Sequence, residues 1–236
     1  MKKRISSAFQ NKDLEIFMSV AEIIDHTNLK PFATEGDIIK LCREAREYGF
    51  ASVCVNPAYV SLAKRELGNS SVKVCTVIGF PLGQNTTEIK VAETKGAYLD
   101  GCDEFDMVIN VGRLKAKDYG YVRDEISEVV KAAGGRCVKV IIETGLLTDS
   151  EKEIATRLSC EGGAHFVKTC TGVSAGVATV EDVRLMKANA TPGVKIKASA
   201  GIRSYNDAMK LVKAGADRLG TSAGIAIINS ENENNN

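Results

Sequence analysis

The sequence predicts an α/β fold of one kind, a (β/α)8 TIM barrel with an extra N-terminal helix. Three observations lead there. Eight short β-branched runs alternate with longer stretches of helical apolar spacing. The runs recur about every 28 residues, the size of one β-α unit. No Gly-rich dinucleotide fingerprint follows an early strand, as an open doubly wound sheet would want.

The runs fall at 22–25 (EIID), 51–55 (ASVCV), 72–78 (VKVCTVI), 103–109 (DEFDMVI), 137–143 (RCVKVII), 165–169 (HFVKT), 194–198 (VKIKA) and 217–221 (DRLGT). Between them, 35–48, 86–99, 117–133, 150–161, 179–189 and 204–214 carry apolar residues at a 3.6 period, and 57–67 is a shorter stretch of the same kind. Gly49 and Gly215 follow periodic runs, where helices end. After the first strand comes DHTNLKPFAT, not G-x-G-x-x-G. Residues 1–19 read as the added helix and SENENNN at 230–236 as a frayed polar tail, so that 1–236 make a single barrel domain.

Composition narrows the function. Lys and Arg number 31 against 30 Asp and Glu, a net charge of +1, which argues against a bulk polyanion binder. Aromatics are 6%, too few for a base-stacking platform, so no nucleic-acid partner is expected. No apolar run approaches the length of a membrane helix, and no secretory signal is read at the N-terminus. The seven cysteines form no C-x-x-C and read as reduced thiols of a cytoplasmic protein. Only two histidines are present, His26 and His165, far apart, so neither a metal nor another cofactor is expected. A homodimer or higher homo-oligomer is the expected assembly, closed dimers being commonest.

In such a barrel, chemistry sits where strands end in loops. The first strand ends in Asp25-His26-Thr27-Asn28. The fourth carries Asp103, Glu104 and Asp106, then Asn110; the fifth carries Lys139 and ends in Glu143-Thr144-Gly145. Lys139, Lys168 and Lys197 stand at equivalent phases of strands five, six and seven, 29 residues apart each time. Period-2 alternation puts Lys139 on one face and Val138, Val140 and Ile142 on the other, so charge enters the barrel while apolar residues face the helices. Lysines placed so either fill the interior with salt bridges or do chemistry. Two ammoniums side by side depress each other's pKa, which can leave one as the neutral amine that attacks a carbonyl, with an adjacent aspartate to move protons. The loops after strands six, seven and eight (Thr171-Gly172-Val173, Ser199-Ala200-Gly201-Ile202, Gly220-Thr221-Ser222-Ala223-Gly224) are small-residue loops of the sort that hold a phosphate on backbone N–H groups.

The segments DHTNLKP (25–31), IGFPLG (78–83), DEFDMVIN (103–110), VKVIIETGLL (138–147), FVKTCTG (166–172), VKIKASAGIR (194–203) and RLGTSAG (218–224) are similar to those of the deoxyribose-phosphate aldolase family. The likeness runs from about residue 20 to 228, in order. It implies a class I, metal-free aldolase that reversibly cleaves 2-deoxy-D-ribose 5-phosphate to D-glyceraldehyde 3-phosphate and acetaldehyde, with small phosphosugars and aldehydes as its partners. By position it implies Lys168 as the Schiff-base lysine, Lys197 as the lysine that tunes it, and Asp106 as the proton relay. It implies phosphate contacts at Gly172, Gly201 and Ser222, and Asp25, Lys139 and Thr169 lining the site. Cys54, at the exit of strand two, reads as a buried small residue.

Three positions depart from the family pattern. Cys170 stands for the serine of KTSTG and counts as a change next to the reacting lysine. Ala200 stands for the first glycine of GGI; if residue 200 takes a positive φ, its methyl strains the loop. Ala223 stands for the second serine of GTSSG and removes a hydroxyl donor. Competing readings are a Schiff-base aldolase or transaldolase for another phosphosugar, a metal-dependent aldolase, and a phosphate-binding barrel without catalysis.

Overall fold

The computed structural model describes residues 19–174 and 176–234. Its strands are β1 (Ile24–Asn28), β2 (Ser52–Val55), β3 (Lys73–Ile78), β4 (Glu104–Val108), β5 (Cys137–Ile141), β6 (Phe166–Lys168), β7 (Lys195–Ser199) and β8 (Arg218–Thr221). They pair in parallel and in chain order, and β8 closes onto β1. The helices are α1 (Glu35–Tyr48), α2 (Val60–Leu67), α3 (Thr87–Leu99), α4 (Val111–Lys115), α5 (Tyr119–Ala132), α6 (Asp149–Glu161), α7 (Val180–Asn189), α8 (Tyr205–Ala214) and α9 (Gly224–Asn234). The predicted eight-stranded TIM barrel is what the chain forms.

Local chemistry sets the boundaries. Thr34 with Asp37, Thr148 with Glu151 and Ser204 with Asp207 form reciprocal capping boxes that start α1, α6 and α8. Gly49 and Gly215 close α1 and α8 in the left-handed conformation that the sequence predicts for them. Several boundaries differ from expectation, among them the unpredicted α4 and the end of β5 at Ile141 instead of residue 143, and two more lie at the ends of the barrel. Residues Val20–Ile23 form a 3-10 turn capped by the Ser19 hydroxyl, so β1 starts at Ile24 and takes in Asp25 to Asn28, which were read as its exit loop. The polar stretch read as a tail from residue 230 continues α9 to Asn234, because Ile227 docks this helix into the core. Residues 1–18 of the expected N-terminal helix, and 235–236, lie outside the described residues.

Apolar strand residues face outward. Val53, Val138, Val140, Val167, Ile196 and Leu219 belong to one buried cluster with Ile38 and Leu41 of α1, Ile126 of α5 and Met186 of α7. Each such side chain contributes about 1.5–3 kcal/mol on burial, so this outer shell supplies the hydrophobic stabilisation of the fold. The interior differs from the usual branched apolar filling of such barrels. By alternation the odd strands send in Asp25, Cys75, Lys139 and Lys197. The even strands send in Ser52, Glu104, Phe166 and Arg218 toward the closed end, and Cys54, Asp106, Lys168 and Gly220 toward the open end. Gly220 is required there, since a Cβ would lie 2.8 Å from Ser199 Oγ and 3.0 Å from Lys197 Cε.

A second buried charge pair stands outside the barrel. Lys90 of α3 and Glu125 of α5 meet at 2.8 Å, both fully enclosed. Lys90 Nζ also donates to the Val108 carbonyl at 2.8 Å, and Glu93 accepts from Gly79 N at 2.7 Å. These bonds clamp the exits of β3 and β4, the second of which carries Asp106. Among the described residues, no helix is long and apolar enough to cross a membrane.

Candidate active site

The strand register brings Asp106, Lys139, Lys168 and Lys197 into neighbouring rows, since Asp106 pairs with Lys139 and Lys168 with Lys197. Asp106 is at the centre. Its Oδ2 accepts from Lys168 Nζ at 2.7 Å and from Lys197 Nζ at 2.6 Å. Its Oδ1 accepts from Lys139 Nζ at 2.9 Å and from Cys75 Sγ at 3.2 Å. Below it, Lys139 meets Glu104 at 2.6 Å, and Lys197 bonds Asp25. Asp25 Oδ1 takes Ser52 Oγ and Arg218 Nη1, each at 2.7 Å. Arg218 also reaches Glu104 at 3.2 Å.

Burial alone would neutralise these groups, but their partners overrule it. Desolvation pushes Asp106 up, while Lys139, Lys168 and Lys197 together hold it well below the usual carboxylate range. Asp25 is likewise lowered against its burial by Lys197, Lys139 and Arg218. Lys197 and Lys139 are raised despite desolvation, the first by Asp106 and Asp25, the second chiefly by Asp106. One carboxylate oxygen thus lies between the two lysines whose direct repulsion the sequence suggested.

Lys168 lies toward the open end, above Lys197. Asp25, Lys139 and Thr169, expected to line the site, are sealed beneath or beside it, each at 0% exposure. Their inward strand positions explain the difference: Asp25 and Lys139 reach the mouth only through Lys197 and Asp106. The Thr169 hydroxyl donates to Ser199 O and accepts from Ser199 N, both at 3.0 Å, as a clasp between β6 and β7. Cys170 does not reach the cavity. It is fully buried against the Thr144 hydroxyl at 3.3 Å and faces the β5–β6 seam instead of the mouth. Cys54 is buried with Cys75 and Val77, as expected. Arg218 and Glu104 were not singled out for a role; period-2 alternation from Gly220 and Asp106 would have placed both inward.

Gly172, Gly201 and Ser222 line a cavity of about 990 Å³ at the open end, together with Ala200 and Ala223. Gly172 and Gly201 both take φ of 80°, and neither N–H has a hydrogen-bond partner among the described residues. Ala223 N is held by Thr221 Oγ1 at 2.9 Å. The first turn of α9 begins at Gly224 and adds its N-terminal end. Ala200 has φ 82°, a left-handed alanine.

Neither histidine joins the lysine–carboxylate network, although His26 and Glu44 lie on the wall of the same cavity. His26 meets Glu44 of α1 at 2.9 Å outside the barrel, and His165 Nδ1 accepts from Val138 N. Donor atoms of Cys54, Cys75 and Asp106 lie within 4.8 Å of one another. That carboxylate already carries three ammonium groups, so a divalent cation would be added to positive charge.

The interior network sets a pH range. Asp25 and Asp106, lowered in the fold, contribute stability above the ordinary Asp value near 3.9 that is lost as pH falls below it. Lys139 and Lys197, raised in the fold, contribute stability below about pH 10 that is lost as pH climbs beyond. Urea midpoints should therefore drop on both sides, and a chain as stable at about pH 2.5 as at pH 7 would contradict the ionised interior carboxylates. Separately, A200G should stabilise the fold by about 1 kcal/mol by releasing the left-handed alanine. A loss of stability in the same urea titration would show that residue 200 is not strained.

A family model of DeoC/LacD family aldolases matches residues 19–230. The deoxyribose-phosphate aldolase of Thermococcus kodakarensis is 58% identical over 213 residues, covering 89% of this chain and 95% of that protein. That of Streptococcus gordonii is 54% identical over 219 residues, covering 93% and 100%. Among solved structures, the tetrameric deoxyribose phosphate aldolase of Aeropyrum pernix superposes with a TM-score of 0.83 at 39% identity, covering 90% of this chain and 91% of that one. With a family model spanning nearly all described residues and relatives above half identity, this chain belongs to the DeoC/LacD family of aldolases.

Proposed function

We propose that this chain reversibly cleaves 2-deoxy-D-ribose 5-phosphate to D-glyceraldehyde 3-phosphate and acetaldehyde through a Schiff base on Lys168, in the breakdown of deoxyribose phosphates. The carrying observation is the shared oxygen: Lys168 and Lys197 both bond Asp106 Oδ2 under an open, N–H-lined mouth. The names of the relatives supply the substrate.

The unprotonated Lys168 amine adds to C1 of the open-chain aldehyde, and loss of water gives the iminium. An iminium nitrogen carries one N–H where the ammonium carried three, so Asp106 Oδ2 gains room to accept from water. The proton of the C3 hydroxyl passes through that water to Asp106, which holds it for the later protonation of C2, and the C2–C3 bond breaks. Its electron pair moves to C2 and the iminium becomes an enamine. C3 becomes the aldehyde carbon of glyceraldehyde 3-phosphate, which leaves. Protonation at C2 restores an iminium, and water then releases C1 and C2 as acetaldehyde and frees the lysine. Lys197, held protonated by Asp106 and Asp25, supplies a fixed positive charge and a proton on the same oxygen. Gly172, Gly201 and Ser222 bind the phosphate.

Borohydride with acetaldehyde should attach a two-carbon adduct to Lys168, and Lys168→Leu should abolish acetaldehyde release from deoxyribose 5-phosphate. D106N should slow turnover by about 10²–10⁴-fold in the protein that folds, with a lowered urea midpoint. An adduct on Lys197 would overturn the assignment. Cleavage of fructose phosphates in place of deoxyribose 5-phosphate would replace the substrate, and inhibition by EDTA would favour a metal-dependent aldolase.

The same reading takes the chain as a cytoplasmic homo-oligomer. All seven cysteines are free thiols, and Phe32, Leu82 and Leu99 leave apolar surface exposed. A light-scattering mass of one 25.3 kDa chain would count against assembly.

A further inference from the structure

Glu143 follows β5 and is not used by the reaction above. It combines two costly features. Its backbone is left-handed, φ 57° and ψ 66°, which glycine adopts easily and glutamate does not. Its carboxylate is enclosed, at 2% exposure, with no cation paired to it among the described residues. Both carboxylate oxygens face one donor, the backbone N–H of Thr171, at 3.2 and 3.4 Å.

Thr171 passes the constraint on. Its hydroxyl accepts from Val173 N at 3.2 Å and from Ser174 N at 3.3 Å. The neighbouring Thr144 N donates to Thr169 O at 3.0 Å, which fixes the other side of the turn. The N–H groups of 171, 173 and 174 are therefore satisfied inside the loop, and that of Gly172 alone is left without a partner among the described residues. Gly172 stacks on the next loop, where a Cβ on it would lie 3.5 Å from the Ala200 Cβ.

We propose that Glu143 is a positioning residue for the phosphate end of the site, acting through Thr171 to fix the direction of the Gly172 N–H. The proposal rests on the reading of the mouth as a phosphosugar site. Glu143 touches neither the lysines nor Asp106, so its contribution belongs to substrate affinity, not to bond cleavage.

The test compares wild type, E143A, E143Q and T171V on 2-deoxyribose 5-phosphate and on unphosphorylated 2-deoxyribose, with inorganic phosphate as competitor. E143A and T171V should each raise KM for the phosphorylated sugar about tenfold and weaken phosphate inhibition similarly, while kcat, and kcat/KM for the unphosphorylated sugar, stay within about twofold. E143Q keeps an amide oxygen to accept from Thr171 N and should recover most of the affinity. Equal losses on both sugars would overturn the proposal. So would an unchanged KM in E143A, or in T171V should E143A not fold. If wild type itself neither prefers the phosphorylated sugar nor is inhibited by phosphate, the phosphosugar reading has failed, and this proposal with it.

Discussion

Asp106 is the group on which the interior of the barrel depends. Three ammonium groups converge on its two oxygens with no exposure to water to screen them. Removing one partner from a buried ionic cluster typically costs about 3–5 kcal/mol, because the others are left uncompensated. Such a cluster persists only where the backbone fixes every donor, and a closed sheet does this: each charged residue has neighbours on both sides through the ladder. The apolar shell between strands and helices provides the stability that the interior does not. The inward groups of the network are Lys139, Lys168, Lys197 and Arg218 against Asp25, Glu104 and Asp106, one positive charge in excess. Loss of one proton from an amine, or arrival of an anion at the mouth, balances it.

The open end follows a different physical rule. There the free N–H groups of Gly172 and Gly201 join side-chain donors such as Ser222, and these glycines take left-handed conformations. Gly172, Ala200, Gly201 and Glu143 all have positive φ. Two of these are not glycine: Ala200 lines the cavity, and Glu143 stands behind the Thr171 loop, so part of the backbone strain lies at this end of the barrel. Rigid strands carry the buried charges beneath, and the loops above carry the unpaired N–H groups.

Much of this was legible in sequence. The eight β-α units followed from periodicity. The 29-residue spacing of Lys139, Lys168 and Lys197 fixed their common phase, and alternation sent them inward. Depth was not legible, because period-2 alternation gives a face and not a height. Asp25, Lys139 and Thr169, which the resemblance implies as lining residues, are fully buried beneath or beside the mouth. Cys170 differs for a related reason: it follows Lys168 by two positions, but the strand has already ended at Lys168 and the chain turns toward Thr144. The Lys90–Glu125 pair left no signal either, since each residue sits on an amphipathic helix where a solvated charge is the ordinary expectation. The helical end of α9 was hidden by its asparagines, whose low helix propensity was outweighed by Ile227 docking in the core.

The three lysines are alike in sequence context, and their anchoring tells them apart. Lys139 is bound by Glu104, Asp106 and Asp25; Lys197 by Asp25 and Asp106; Lys168 by Asp106 alone. To reach a carbonyl carbon a nitrogen must leave its charge-assisted hydrogen bonds, each worth more than a neutral one. Lys168 has one such carboxylate partner, Lys197 two, and Lys139 two with Asp25 further off at 3.6 Å. Lys168 is also the one with residual exposure, at 3%, against 0% for the other two. Access and the cost of release therefore select the same residue. The two more firmly anchored lysines hold Asp106 ionised and in place whether or not Lys168 is released.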